Sequence, residues 1–76
     1  MQIATFTDKL KMNYKYMLLP NGEADVFIYK FVEEKKTENG TEYIYEFNQF
    51  HVKTNEISEN DIKANPLNFL NYSTKN

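Results

Sequence analysis

The seven residues VFIYKFV, from Val26 to Val32, decide how this chain folds. If they form a β-strand, successive side chains point to opposite faces of the sheet. The two faces would then consist of Val26, Ile28 and Val32 on one side, and of Phe27, Tyr29 and Phe31 on the other. Both faces are apolar, and a chain of 76 residues is expected to cover only one of them.

Three runs rich in tyrosine, phenylalanine, valine and isoleucine predict strands, at Met12 to Leu19, Ala24 to about Lys36 and Thr41 to about Thr54. Between the first two, Leu19-Pro20-Asn21-Gly22-Glu23 predicts a hairpin with a three-residue loop. Proline presets φ there, and glycine accepts the left-handed conformation. Between the second and third, Asn39-Gly40 predicts a hairpin with a two-residue loop. The sequence therefore predicts a three-stranded antiparallel meander.

The two turns also predict the register, because a slip of one residue would move every side chain to the other face. The first turn pairs Leu19 with Glu23, and the second pairs Thr41 with Glu38. Together they predict one continuous apolar face, which consists of Tyr14, Tyr16, Leu18, Val26, Ile28, Val32, Tyr43, Tyr45 and Phe47.

The alternation of the third strand breaks after Phe47. A bulge of one residue near Asn48-Gln49 is predicted to return Phe50 and Val52 to the core face. On this register His51, the sole histidine, points to the opposite face, and no serine or cysteine lies near it in sequence. We therefore predict no catalytic residues and no enzymatic activity.

A short helix is predicted after the third strand. Ser58 is a good N-cap, and Asp61 stands where a capping-box carboxylate would reach back to it. Ile57 and Ile62 have the spacing of a hydrophobic staple. The helix is predicted to end near Ala64, because the following proline disfavours the α region at the residue before it.

Pro66 can begin a second short turn that Asn65 caps. The apolar residues of this tail would cover the core face, as a lid of Ile57, Ile62, Leu67 and Leu70. The predicted fold class is α+β, a three-stranded antiparallel β-meander with a short C-terminal helix packed on one face. The single domain 1–76 divides into a possible N-terminal arm or extra strand at 1–11, the meander at 12–54, a helical tail at 57–72 and a frayed end at 73–76.

Composition excludes several classes of protein. A chain of this length buries a marginal fraction of its surface and usually needs a disulfide, a metal or association for stability. The absence of cysteine and the single histidine exclude a disulfide and a standard zinc site, so association is left, and no cofactor is predicted. No apolar leader or run of about 20 apolar residues is present. We therefore expect a cytoplasmic protein without a membrane segment.

The aromatic stripe of Phe27, Tyr29 and Phe31 lies on the face that the helical tail does not cover, so other residues or a partner are needed to shield it from water. The predicted register sets Lys15 across from Phe27 and Lys11 across from Phe31. Lysine stems could lie over the rings, or the N-terminal segment with Ile3 and Phe6 could fold across them. The alternative, which we predict as the function, is a non-enzymatic protein-binding patch formed by the three aromatic residues with Lys11 and Lys15. A second copy of the chain is one candidate occupant, as a homodimer.

Single-stranded nucleic acid is the alternative ligand for this face, because bases stack on exposed rings beside cations. The chain disfavours it, since its net charge is −2 and it contains no arginine.

The stretch YIYEFNQFHVKTNEISENDIKANPLNFLNY, from Tyr43 to Tyr72, resembles the short proteins of unassigned function that bacteriophages and prophages of low-G·C bacteria encode. The chain shares a lysine-rich and asparagine-rich composition with them. The resemblance implies a non-enzymatic accessory protein, either a virion or tail component or a factor that binds a host protein. It carries no catalytic residues to this sequence.

Overall fold

The structure, a computed structural model, describes residues 2–73 and contains one four-stranded antiparallel sheet. Its strands are β1 (Gln2–Phe6), β2 (Tyr14–Leu19), β3 (Glu23–Thr37) and β4 (Gly40–Lys53), in the order β1-β4-β3-β2. One α-helix follows among the described residues, α1 (Glu59–Ala64), and then a 3-10 turn (Pro66–Phe69). The antiparallel sheet with a short helix is confirmed, but the prediction of three strands is wrong.

The fourth strand is formed by the N-terminal segment, for which the sequence allows either an arm or an extra strand. β1 pairs with β4, from Gln2 opposite Phe47 to Phe6 opposite Tyr43. Since β1 and β2 lie at opposite edges of the sheet, the chain between them has to cross one face. Residues 7–13 make that crossing. The predicted frayed end lies outside the described residues, except for Ser73.

The first hairpin has the predicted form. Leu19 pairs with Glu23 across a three-residue loop, and the register continues to Tyr14 opposite Ile28. The turn places both Asn21 and Gly22 in the left-handed region, at φ values of 73° and 72°. Asparagine and glycine are the residues that adopt this conformation at least cost, which explains why the register was predictable.

The second hairpin is shifted from its predicted position. Its two-residue loop is Glu38-Asn39, and Gly40 begins β4 opposite Thr37. Gly40 has a φ of 134°, which favours glycine over other residues. The hydroxyl of Thr37 donates to the Gly40 carbonyl at 2.9 Å and holds the turn in this place. The prediction that Asn39-Gly40 forms the loop is therefore wrong.

The irregularity in the ladder lies in β3 and not in β4. The register shifts at Val32, between Phe31 and Glu33, whereas β4 pairs without interruption through Asn48-Gln49. As a result, Tyr45 stands opposite Phe31, and Phe47 stands opposite Tyr29. The predicted continuous face is therefore wrong for Tyr43, Tyr45 and Phe47, which lie on the other side, and for Val32, which is exposed at the bulge.

The core lies between the sheet and the C-terminal segment. Its buried residues are Ala24, Val26, Ile28, Phe50, Val52 and Ile62. The return of Phe50 and Val52 to this face is confirmed. Leu67 is 45% exposed and was wrongly predicted as part of the lid, while Phe69 and Tyr72 pack on the core in its place.

The helix begins as its sequence predicts. The Ser58 hydroxyl accepts from the N–H of Asp61 at 3.3 Å, and the Asp61 carboxylate accepts from the N–H of Ser58 at 2.8 Å. Pro66 begins the 3-10 turn, but Asn65 caps it without a side-chain hydrogen bond. Two hydrogen bonds from the Asn48 amide, to the carbonyls of Phe69 and Tyr72, hold the following segment to β4.

Two tyrosines of β2 join the sheet to the helical tail. Tyr14 donates to the Glu59 carboxylate at 3.1 Å, and Tyr16 donates to the Ile57 carbonyl at 2.7 Å. Burial raises the pKa of both phenols above 10.0. The hydrogen bond to Glu59 raises the pKa of Tyr14 further, and the negative charge of Glu59 raises the pKa of Tyr16 further.

These pKa shifts predict a loss of stability in alkali. A pKa that is raised in the folded state contributes stability that is complete below pH 10 and is lost as the pH rises through the folded-state pKa. We expect tyrosinate absorbance to develop later in the folded protein than in the unfolded protein. Replacing Tyr16 by phenylalanine should reduce the alkaline loss of unfolding free energy. Coincident titrations of the folded and unfolded chains would contradict this expectation.

Candidate interaction face

The sheet face opposite α1 carries a cluster of aromatic rings, which we call the aromatic face. It comprises Phe27, Tyr29 and Phe31 on β3, Tyr45 and Phe47 on β4, and Phe6 on β1. Contacting rings have centroids 5.5 to 6.4 Å apart, and most of the pairs meet edge to face. Pairs of this geometry stabilise a protein by roughly 0.5–1.5 kcal/mol beyond the burial of their area. The face is therefore a second, smaller apolar cluster.

Tyr45 is the centre of the aromatic face. Its side chain is 4% exposed, and its ring meets those of Phe6, Tyr29 and Phe31 edge-on. Its hydroxyl accepts a hydrogen bond from the N–H of Leu10 at 2.8 Å. One side chain thus joins three strands to the crossing segment.

The crossing segment, residues 7–13, covers part of the aromatic face. Leu10 is held by Tyr45, and the carbonyl of Asn13 accepts from the N–H of Tyr29 at 2.7 Å. Burial raises the pKa of Tyr29 above its usual value. Of the N-terminal residues that could cover the stripe, Phe6 contacts the Tyr29 ring from its place in β1, whereas Ile3 is exposed.

Other rings stay accessible beside this cover. Phe31 is 39% exposed, and the Nζ of Lys9 lies 4.9 Å from its ring centroid, a cation–π distance. Phe27 and Phe47 are half-buried. The aromatic face therefore presents three phenylalanines to solvent at different depths.

The structure brings the predicted binding residues together in part. Phe27, Tyr29 and Phe31 share one face, and Lys15 stands directly across from Phe27 as predicted. Lys11 lies in the crossing segment, before β2 begins at Tyr14, so its predicted pairing with Phe31 is wrong.

Sequence reasoning missed Lys9, Tyr45 and Phe47 as residues of this face. Lys9 occupies the place over Phe31 that the register gave to Lys11. The contacts of Phe47 with Tyr29 and of Tyr45 with Phe31 depend on the bulge in β3. The broken alternation after Phe47 signals that a bulge exists, but it does not say which strand contains it.

His51 and Asp25 stand opposite each other on β4 and β3 and contact each other on the same side of the sheet as the aromatic face. The sequence predicts this side for His51. The Nε2 of His51 lies 2.7 Å from a buried Oδ1 of Asp25, and the contact is an ion pair when the imidazole is protonated. It satisfies a carboxylate oxygen that has no other hydrogen-bond partner in the described part of the chain. We interpret the contact as structural.

An open groove of about 420 Å³ runs beside the crossing segment. Its lining includes Phe6, Leu10 and Tyr29, residues of β2 such as Tyr14 and Lys15, and the charged residues Lys11 and Glu59. The groove therefore connects the aromatic face to residues of β2, and charged side chains lie beside its apolar lining.

The remaining chemistry of residues 2–73 is sparse. They contain no group of three or more histidine, aspartate or glutamate side chains that could hold a metal ion. No helix in this part of the chain has the length and apolarity needed to cross a bilayer. The aromatic face is thus the most distinctive surface of the described fold.

Comparison of the chain with family models, with curated proteins and with solved structures gave no match.

Proposed function

We propose that this protein is a non-enzymatic interaction module whose aromatic face binds another protein. The exposure of Phe31, together with the half-buried Phe27 and Phe47, is the observation that carries the proposal. Aromatic residues that are partly exposed in one patch are typical of the centres of protein interfaces. The opposite face supports this reading, because α1 and its following segment already cover it.

Charge favours a partner segment that combines apolar side chains with carboxylates. The residues beside the aromatic rings include Lys9 over Phe31, Lys15 across from Phe27, and Lys11 in the groove. Asp61 lies on the helix side, whereas Glu59 lines the groove together with Lys11. Asp25 on the aromatic side is paired with His51. The lysines closest to the rings, Lys9 and Lys15, thus set cations beside the aromatic face of a protein whose net charge is −2.

The molecule exposes more surface than its mass predicts. The chain exposes 5770 Å², whereas size scaling gives roughly 4900 Å² for a folded monomer of this mass. The projecting end of the β3–β4 hairpin accounts for part of the difference, since the molecule measures 46 by 21 by 21 Å. A standard interface buries about 800 Å² on each partner.

The resemblance to phage and prophage proteins supports a partner among host-cell or virion proteins. The proposed place of action is then the host cytoplasm or the virion. The proposed binding uses the aromatic rings and the lysines and invokes no cofactor.

Selection from a library of random dodecapeptides tests the proposal. We expect the immobilised protein to enrich peptides that combine aromatic or aliphatic residues with aspartate or glutamate. Replacing Phe27 and Phe31 together by serine should weaken a selected peptide by about tenfold or more, as loss of interface hot spots does. Circular dichroism checks that this variant folds. Peptides that bind it as tightly as the natural protein would overturn the proposal.

Two further variants complete the experiment. Glu33→Ser with Lys35→Ser changes the exposed hairpin end away from the rings, and binding should be unchanged. Lys9→Glu with Lys15→Glu keeps the rings but reverses the charge, so acidic peptides should bind more weakly even if the serine variant fails to fold. A thymidine oligonucleotide that binds at low salt and is released by salt, while no peptide is enriched, would assign the face to nucleic acid and contradict a protein partner.

A further inference from the structure

β2 forms an open edge of the sheet. Within residues 2–73 it pairs with β3 on one side, and no strand lies on the other. Along an antiparallel strand, the backbone N–H and C=O groups of successive residues point alternately toward one neighbouring strand and toward the other. The hydrogen bond from the Tyr29 N–H to the Asn13 carbonyl shows that Asn13 points toward β3, so every second residue after it does so too. The inward-bonding residues are Lys15, Met17 and Leu19, and those that present N–H and C=O outward are Tyr14, Tyr16 and Leu18.

This edge carries only one of the features that usually block strand addition. β2 contains no proline and no bulge, and its one charged residue is Lys15. Met17 is 46% exposed and Leu18 is 74% exposed. An edge strand with exposed apolar side chains and free backbone groups is a template for pairing with another strand.

We propose that β2 pairs antiparallel with β2 of a second copy around a two-fold axis, with Tyr16 opposite the second copy's Tyr16 and Tyr14 opposite its Leu18. This register uses all three outward-facing residues, which gives about six hydrogen bonds. It ends before Pro20, which has no N–H to donate. Directly opposed residues share a face in an antiparallel pair, so both α1 helices stay on one side of the joined sheet.

The side chains of β2 complement themselves in this register. On the helix side Leu18 meets the second copy's Tyr14, which covers the most exposed apolar residue of the strand. On the aromatic side Met17 meets the aliphatic stem of the second copy's Lys15, and the two lysines do not oppose each other. A foreign strand would have to supply this complement, whereas a second copy already contains it.

Pairing through β2 goes beyond the proposed function, because it makes the binding surface bivalent. The two sheets become one sheet of eight strands, with both aromatic faces on the same side. Two linked sites raise the avidity for a partner that repeats its binding segment, without any new contact to it.

Cysteine cross-linking tests the register, since the natural chain contains no cysteine. One variant carries Lys15→Cys and another carries Met17→Cys. Residues 15 and 17 of different copies are opposed in a non-hydrogen-bonded pair, where the Cα atoms lie about 4.5 Å apart, within disulfide range. With oxidised glutathione, we expect an equimolar mixture to give the disulfide-linked heterodimer at least tenfold faster than either variant alone gives its homodimer.

Leu18→Pro removes an outward N–H from the edge, and edge strands tolerate proline at such positions. The mass measured by light scattering should fall from that of a dimer to that of a monomer in Leu18→Pro, whereas Leu18→Val keeps the N–H and should stay dimeric.

Three results would overturn the proposal. Each cysteine variant could cross-link alone as fast as the mixture, the natural protein could be a monomer at all concentrations, or its mass could grow without limit through β1–β2 contacts. Peptide binding by the Leu18→Pro monomer, measured separately, distinguishes failure of this edge from failure of the aromatic face.

Discussion

Replacing Ile62 by alanine is expected to lower the free energy of unfolding by about 2–5 kcal/mol. Ile62 is fully buried and is the one residue of α1 in the core, so truncation leaves a cavity between the helix and the sheet. A natural domain is stable by about 5–15 kcal/mol, and small domains lie at the low end. We therefore expect a large unfolded fraction at moderate urea concentrations, measured by circular dichroism.

Leu67→Ala is the matched control for this experiment. Leu67 belongs to the same helical tail but is 45% exposed, so its truncation should cost at most about 0.5 kcal/mol. Equal losses for Ile62→Ala and Leu67→Ala would contradict the packing described here, in which the tail contacts the core through Ile62, Phe69 and Tyr72.

Replacing Tyr45 by alanine is expected to have the second large effect, a loss of about 3–5 kcal/mol, as for other buried aromatic residues. Its ring joins β1 and β3 across β4, and its hydroxyl holds the crossing segment at Leu10. The variant should also expose Phe6 and Tyr29, because both rings lose their edge-on neighbour. Urea unfolding and binding of a hydrophobic dye measure the two effects.

Tyr45→Phe separates the ring from the hydroxyl. It keeps the three ring contacts and loses the hydrogen bond from Leu10, which should cost about 0.5–1.5 kcal/mol. Amide exchange at Leu10 should become faster, while the sheet stays intact. A loss for Tyr45→Phe as large as that for Tyr45→Ala would show that the hydroxyl, and not the ring cluster, stabilises this face.

The parts of the fold that were predictable have local chemical causes. Proline and glycine at positions 20 and 22 determine the first turn, and its register follows by counting. Ser58 and Asp61 form the predicted capping box, and Pro66 begins the next turn. In each case the side chains that decide the backbone conformation lie within a few residues of one another.

The parts that were not predictable depend on contacts between distant residues. The alternation of β4 requires a bulge in the ladder, and residues in either strand could provide it. The bulge at Val32 lets Tyr45 pack against Phe31, and it leaves Asn48 in a regular strand where its amide binds the carbonyls after α1. The pairing of β1 with β4 adds the contact of Tyr45 with Phe6. These contacts span up to about half of the chain, so no local pattern contains them.

The sequence predicted the central residues of the candidate site but not the residues at its edge. The alternation of VFIYKFV places Phe27, Tyr29 and Phe31 on one face, and the first turn places Lys15 beside them. Lys9 and Phe47 reach this face only through the crossing segment and the bulge. The extra strand β1 also escaped prediction as a definite element, because a segment of five residues needs β4 as a template before it forms a strand.

Heteronuclear NMR of the protein, titrated with the strongest selected dodecapeptide, tests the central claim most directly. The proposed function predicts that amide shifts change at Phe27, Phe31 and Phe47 on the aromatic face. Residues on the helix side, such as Val52 and Ile62, should keep their shifts. Changes confined to the helix side, or no changes at saturating peptide, would contradict the claim that this protein binds its partner through the aromatic face.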